Sequence, residues 1–144
     1  MSLSDKKRSE RESTIETEDV AIALLEVAVE KKGVNPVILD MRELVTFTDF
    51  FLIVTARNPK AAQAIAEAIR LAAKHKYSLP ITGVEGVKSS KWILVDVPGI
   101  VIHVFDASAR GFYDLEGLWS DAPRLDLPEL AIATDDEPAF FFPN

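Results

Sequence analysis

The 144-residue chain contains no cysteine, which excludes disulfides, thiol catalysis and thiolate metal sites. Its six glycines are scattered singly, so neither a phosphate-binding loop nor a dinucleotide fingerprint can be assembled. With two histidines, His75 and His103, on different segments, no pair is spaced to share a metal on one element. No serine sits in a nucleophile elbow. A two-metal nucleotidyl-transfer site needs carboxylates one residue apart on a strand, facing the same way. The apolar segments offer Asp40, Asp49 and Asp96 only singly. No cofactor and no metal is therefore expected. Long hydrophobic runs are missing too: "AIALLEVAVE" is interrupted by Glu26 and "FFLIV" is strand-sized, so no membrane span is expected. The opening "MSLSDKKRSERES" has no apolar stretch behind it and does not read as a secretory signal, which leaves a cytoplasmic location by default.

Positive charge is also scarce. Sixteen Lys and Arg stand against 23 Asp and Glu, a net charge of −7. Nucleic-acid affinity rests on basic side chains neutralising phosphates, so this balance argues against sequence-specific nucleic-acid binding. It suits a basic protein partner, whose approach long-range attraction accelerates.

Hydrophobic residues at 48% and charged residues at 27% match an ordinary globular domain of this length. Residues 1–16 carry four acidic and four basic side chains with little apolar content, and are expected to be a disordered arm. From Thr17 onward Val20, Leu24, Val27 and Ala28 recur at helical spacing, and Lys31, Lys32 and Gly33 suit a helix end. "PVILD" (36–40) and "FFLIVTA" (50–56) read as strands. Asn58-Pro59 reads as an N-cap with Pro in the first turn, opening a helix with Ala62, Ile65, Ala66, Ile69 and Ala73 on one stripe. A short strand is expected within 80–86.

In "WILVDVPGIVIHVF" (92–105), Pro98-Gly99 is expected to form a two-residue hairpin loop pairing Val97 with Ile100. One face then carries Ile93, Val95, Val97, Ile100, Ile102 and Val104; the other carries Trp92, Leu94, Asp96, Val101, His103 and Phe105. Both faces are largely apolar, so a sheet covered on both sides is expected. A short helical segment follows, with Phe112, Leu115, Leu118 and Trp119 available to pack. Residues 125–144, acidic and proline-containing, are expected to be a mobile tail. The whole reads as one α/β domain, a mixed sheet layered between helices.

His103 admits two readings. It is either a ring filling a half-buried sheet position, bonded to a carboxylate or a carbonyl, or a general base oriented by Asp40, Asp49 or Asp96. With no nucleophile or cofactor signal beside it, the structural reading is preferred. Trp92 and Tyr113 are either core residues or interface anchors with a polar tip.

"VILDMRELVTFTDFFLIVTA", "ITGVEGVKSSKWILVDVPGIVIHVF" and "ARGFYDLEGLWSDAPR", in that order between about Thr17 and Arg124, resemble the ribosomal silencing factor family, RsfS, also called Iojap. The resemblance implies a nucleotidyltransferase-like fold without the catalytic carboxylates, and a non-enzymatic translational repressor. It also implies docking on the large-subunit ribosomal protein conventionally numbered fourteen, which would obstruct joining of the small subunit. The tryptophan after "GVEG" and the tyrosine of "YDL" belong to the family's contact surface; here they are Trp92 and Tyr113. Leu94 and Val101 are expected to add apolar area, with Glu85, Asp96 and Asp114 as nearby acidic candidates. The chain departs from the family pattern at "ARNPKAAQ" and at Pro98-Gly99, both loops. The competing reading is a nucleotidyltransferase-like enzyme using Asp40, Asp49 and His103. Self-association as a homodimer through an exposed sheet face is a further expectation.

Overall fold

A computed structural model describes residues 3–127, with side chains from Thr17 onward. Five strands form one mixed sheet in the order β1-β2-β5-β4-β3, namely β1 (Val34–Asp40), β2 (Phe50–Ala56), β3 (Gly83–Glu85), β4 (Trp92–Val97) and β5 (Ile100–Asp106). The central pair, β2 and β5, is parallel, and every other pairing is antiparallel. A parallel pair at the centre is buried on both faces, which is why "FFLIVTA" and "IVIHVF" are apolar without alternation.

Helices α1 (Leu3–Glu30) and α2 (Pro59–Leu71) cover one face. The α1 stripe is Ala21, Leu24, Leu25 and Ala28, all fully buried, with Val20 and Val27 at its margin. The α2 stripe is the expected one: Ala62, Ile65, Ala66 and Ile69 are buried, and the helix continues through a π-helical turn, Ala72–Lys76, that buries Ala73. Asn58 caps α2 by accepting the Ala61 N–H at 2.7 Å, and Pro59 occupies its first turn. Against these stripes lie Ile93, Val95, Val97, Ile100, Ile102 and Val104, the aliphatic face of the hairpin. Gly33 is required where α1 turns into β1, because a Cβ there would lie 2.7 Å from Val54 Cγ2.

The hairpin has the expected two-residue loop, with Val97 opposite Ile100 and Gly99 at φ 81°. That positive φ is the second central position of a type II turn, which Pro-Gly favours. The Gly99 carbonyl accepts the N–H groups of Asp49 and Phe50, tying the hairpin tip to the start of β2.

Three expectations change. Helix α1 starts at Leu3, so the helix extends back through the segment read as an arm; the first 32 residues hold no glycine or proline, and Lys, Arg and Glu are good helix formers. The segment after β5 is two helices, α3 (Ala107–Tyr113) and α4 (Leu115–Leu118), parted by Asp114 at φ 44°. The chain also stays in contact past Arg124: Pro123, Arg124 and Leu125 run along the outer edge of β1, and Leu125 and Leu127 pack against the main core. The remainder of the expected tail, 128–144, lies outside the described residues.

Coverage of the second face is also partial. Residues Leu39, Met41, Phe51, Ile53, Val101, Phe105, Ala109 and Ala122 form a smaller core there, roofed by α3, α4 and residues 119–122. Over β4 and β3 the same face is open, with Trp92, Leu94 and Asp96 half-buried and Glu85 exposed. A second helical layer as broad as α1 and α2 would have closed it. The two short helices cannot. No helix among the described residues is long and apolar enough to cross a membrane.

Candidate protein-docking surface

Strand register decides which candidates share a surface. Glu85 pairs with Leu94, which pairs with His103; Asp96 pairs with Val101; Trp92 pairs with Phe105. Paired residues project to the same side of a sheet, so Glu85, Trp92, Leu94, Asp96, Val101 and His103 all stand on the half-open face. Val101 is 7% exposed and belongs to the small core rather than to the free surface.

Tyr113 reaches this face from the end of α3. Its ring centroid lies 4.7 Å from that of Trp92, which itself stacks on Phe105 at 4.9 Å. Phe112 meets Tyr113 edge-on at 5.1 Å and is 81% exposed, while Tyr113 is 49% exposed. Phe112 and Leu118 are among the residues expected to pack. Leu115 and Trp119 do pack, but Phe112 and Leu118 are exposed, because the left-handed turn at Asp114 breaks the segment into two helices with different faces. Phe47, also exposed, lies in contact range of Phe51 on the same side. The aromatic cluster borders a notch of about 340 Å³ that Lys91, Asp106 and Ser108 also line.

The carboxylates differ in what they are free to do. Asp106 and Asp114 cap α3 and α4 by accepting the N–H groups of Ala109 and Gly117, which orients both oxygen pairs at the helix starts. Glu85 lies opposite Leu94 on the edge strand, and Asp96, opposite Gly83, is two residues along β4 from Leu94. Arg110 ties α3 down, donating to the Asn35 carbonyl at 2.6 Å, the Thr55 hydroxyl at 2.9 Å and Glu116 at 2.9 Å. Burial alone would raise the Glu116 pKa, but the Arg110 hydrogen bond and the charges of Arg110 and Arg124 outweigh it and leave it lowered.

His103 is 3% exposed, and its Nδ1 accepts the Trp92 indole N–H at 3.1 Å. The expected carboxylate or carbonyl partner is replaced by an indole, because the cross-strand neighbourhood of His103 on this face is aromatic. Accepting at Nδ1 places the ring proton on Nε2. Burial pushes the His103 pKa down to about 4, so the ring is neutral at physiological pH.

The residues of the competing enzymatic reading do not all converge: the charges of Asp40 and Asp49 both act on Arg42, but His103 stands on the opposite face of the sheet. Asp40 pairs with Phe50 on the α1–α2 side of the sheet, opposite His103, and its carboxylate is held by Arg42 at 2.6 Å. The Arg42 hydrogen bond leads the effects that lower the Asp40 pKa. Asp49 lines a depression with Thr17, Asp19 and Lys76 at the hairpin tip. Among the described residues no three His, Asp or Glu side chains cluster to hold a metal.

The half-open face, with Trp92 and Tyr113 on it and carboxylates at its margin, is a candidate docking surface, and comparison with known proteins gives the family. The family described as "Ribosomal silencing factor during starvation" matches residues 14–140. The chain belongs to the ribosomal silencing factor family. The match reaches well into the segment after Arg124, so the family's extent exceeds the 17–124 read from motifs. The RsfS protein of Halalkalibacterium halodurans is 37% identical over 108 residues, covering 72% of this chain and 92% of that protein. That of Bacillus subtilis is 37% identical over 98 residues, covering 68% and 82%. The chloroplastic Iojap protein of Arabidopsis thaliana is 35% identical over 75% of this chain, which spans 44% of that longer relative. A crystal structure from Bacillus halodurans superposes with TM-score 0.65 at 32% identity, covering 78% of this chain and 98% of that one. One from Chromobacterium violaceum gives 0.66 at 28%, covering 84% and 94%.

Proposed function

We propose that this RsfS-family chain is a translational repressor that associates with the large ribosomal subunit and blocks its joining to the small subunit. It docks on the basic ribosomal protein numbered fourteen, acts in the cytoplasm, and works by occupying space rather than by turnover. The observation that carries the reading is the half-open sheet face, where the Trp92–Tyr113 pair shares a side with Leu94, with Glu85 opposite Leu94, Asp96 two residues along β4, and Asp114 following Tyr113 in the chain. Trp92 and Tyr113 anchor, because large amphipathic rings bring much contact area at low conformational cost. The acidic flank and the net charge of −7 steer the chain toward a basic partner.

Order of addition tests this. Protein added to free large subunits should prevent joining when small subunits follow; protein added to assembled ribosomes should have little effect. Inhibition should saturate near one copy per large subunit, without nucleotide or metal, and weaken as salt rises. Substoichiometric, nucleotide-dependent inhibition would refute the steric reading. Self-association through the same face competes with docking, and would appear as concentration-dependent mass in sedimentation.

A further inference from the structure

We propose that His103 is the positioning residue of this surface, its Nδ1 accepting the Trp92 indole N–H so that the indole meets its partner in one preset orientation. The proposal rests on the reading of Trp92 as a contact residue.

The geometry makes His103 the fixed member of the pair. It sits on β5, between β2 and β4, with Phe51 edge-on at 4.8 Å and Phe105 stacked at 6.1 Å, and it is 3% exposed. Trp92 is the less buried member: it starts β4, is half-buried, and packs through its ring faces on Phe105 and Tyr113, contacts that either edge-on orientation of the indole can keep. A tryptophan's second side-chain torsion is broad and two-fold, so an indole on an open face can turn over and exchange its edges. Only one orientation presents the N–H to Nδ1.

The other ring nitrogen indicates what the imidazole is for. His103 Nε2 is buried and has no hydrogen-bond partner among the described residues. An unpaired buried donor is destabilising, so leucine or phenylalanine would fill the position at lower cost if filling were its task. Accepting the indole N–H is the polar interaction the structure gives this side chain. Ordering a rotamer before association spares that cost on binding, an effect of about three- to tenfold in affinity for one large side chain.

The test uses the full chain with His103→Leu, His103→Phe and His103→Asn. Leu and Phe lack an acceptor; the Asn amide oxygen is attached to Cγ as Nδ1 is. The Trp92 indole N–H resonance, assigned by its loss in Trp92→Phe, should exchange slowly with solvent in the wild type and in His103→Asn, and rapidly in His103→Leu. Affinity for purified large subunits should fall about three- to tenfold in His103→Leu and recover in His103→Asn. On a Trp92→Phe background, His103→Leu should change affinity no further. His103→Phe answers the same question if the leucine form does not fold. Wild-type affinity in a folded Leu or Phe variant with a rapidly exchanging indole overturns the proposal, as does an undiminished loss on the Trp92→Phe background. If Trp92→Ala itself binds as wild type, the contact reading has failed instead.

Discussion

Arg110→Ala should be among the most damaging single changes outside the apolar core. The guanidinium is 13% exposed and joins four elements: its own helix α3, β1 through the Asn35 carbonyl, β2 through Thr55 and α4 through Glu116. Breaking a buried ion pair from one side costs about 3–5 kcal/mol, because the abandoned charge remains desolvated. Here the pair is only part-buried, at 13% and 21% exposed, and Arg124 still reaches Glu116 at 3.3 Å from a 57% exposed position, so the loss falls at the lower end of that range. An expected cost is about 3 kcal/mol, or about 10 °C in melting temperature for a domain of this size. Arg110→Lys keeps the charge but offers no fork to span three acceptors, and should lose about half as much. Urea unfolding of wild type, Arg110→Ala, Glu116→Ala and the double variant measures the terms, and the double should lose less than the sum of the singles. Since α3 ends at Tyr113, Arg110→Ala should also weaken large-subunit binding under conditions where the protein is still folded. A cost below about 1 kcal/mol, or additive singles, would refute the idea that this network fastens α3 to the sheet.

Trp92→Ala and Tyr113→Ala should separate: both lose about 2 kcal/mol or more of binding, but only Trp92→Ala, which breaks the His103 bond and the Phe105 stack, should also lower the melting temperature markedly, and equal melts would contradict this. Stability should fall as pH is lowered from His103's ordinary 6.5 toward about 4, because the unfolded histidine takes up a proton that the buried one refuses; the loss, about 3 kcal/mol, should vanish in His103→Leu, as paired urea titrations would show. Glu116 and Asp40, with lowered pKa values, should contribute stability that is present above their ordinary 4.5 and 3.8 and is lost as pH falls below them, so Glu116→Gln should flatten only that acid limb. A chain ending at Arg124 should melt below one ending at Leu127, because it lacks the Leu125 N–H bond to Ile38 and the packing of Leu125 and Leu127; identical melts would place the boundary at 124.

Whatever depends on a few adjacent residues could be read from the sequence. The Pro98-Gly99 loop and the alternation of the flanking strands settle the register of β4 and β5, and with it which residues share a face with His103. Asn58-Pro59 marks the start of α2. The order of the motifs was enough to indicate the family. Whatever depends on how layers meet was decided only in three dimensions. The β4–β3 half of the second face is open because α3 and α4 are too short to roof it, and no periodicity in either strand records the length of a distant cover. Phe112 is exposed and Ala109 buried because α3 is anchored by Arg110 to a carbonyl 75 residues away in the chain. His103 takes an indole as its partner because the two side chains occupy neighbouring positions on one aromatic patch, where burial strips away water and the nearest donor is Trp92.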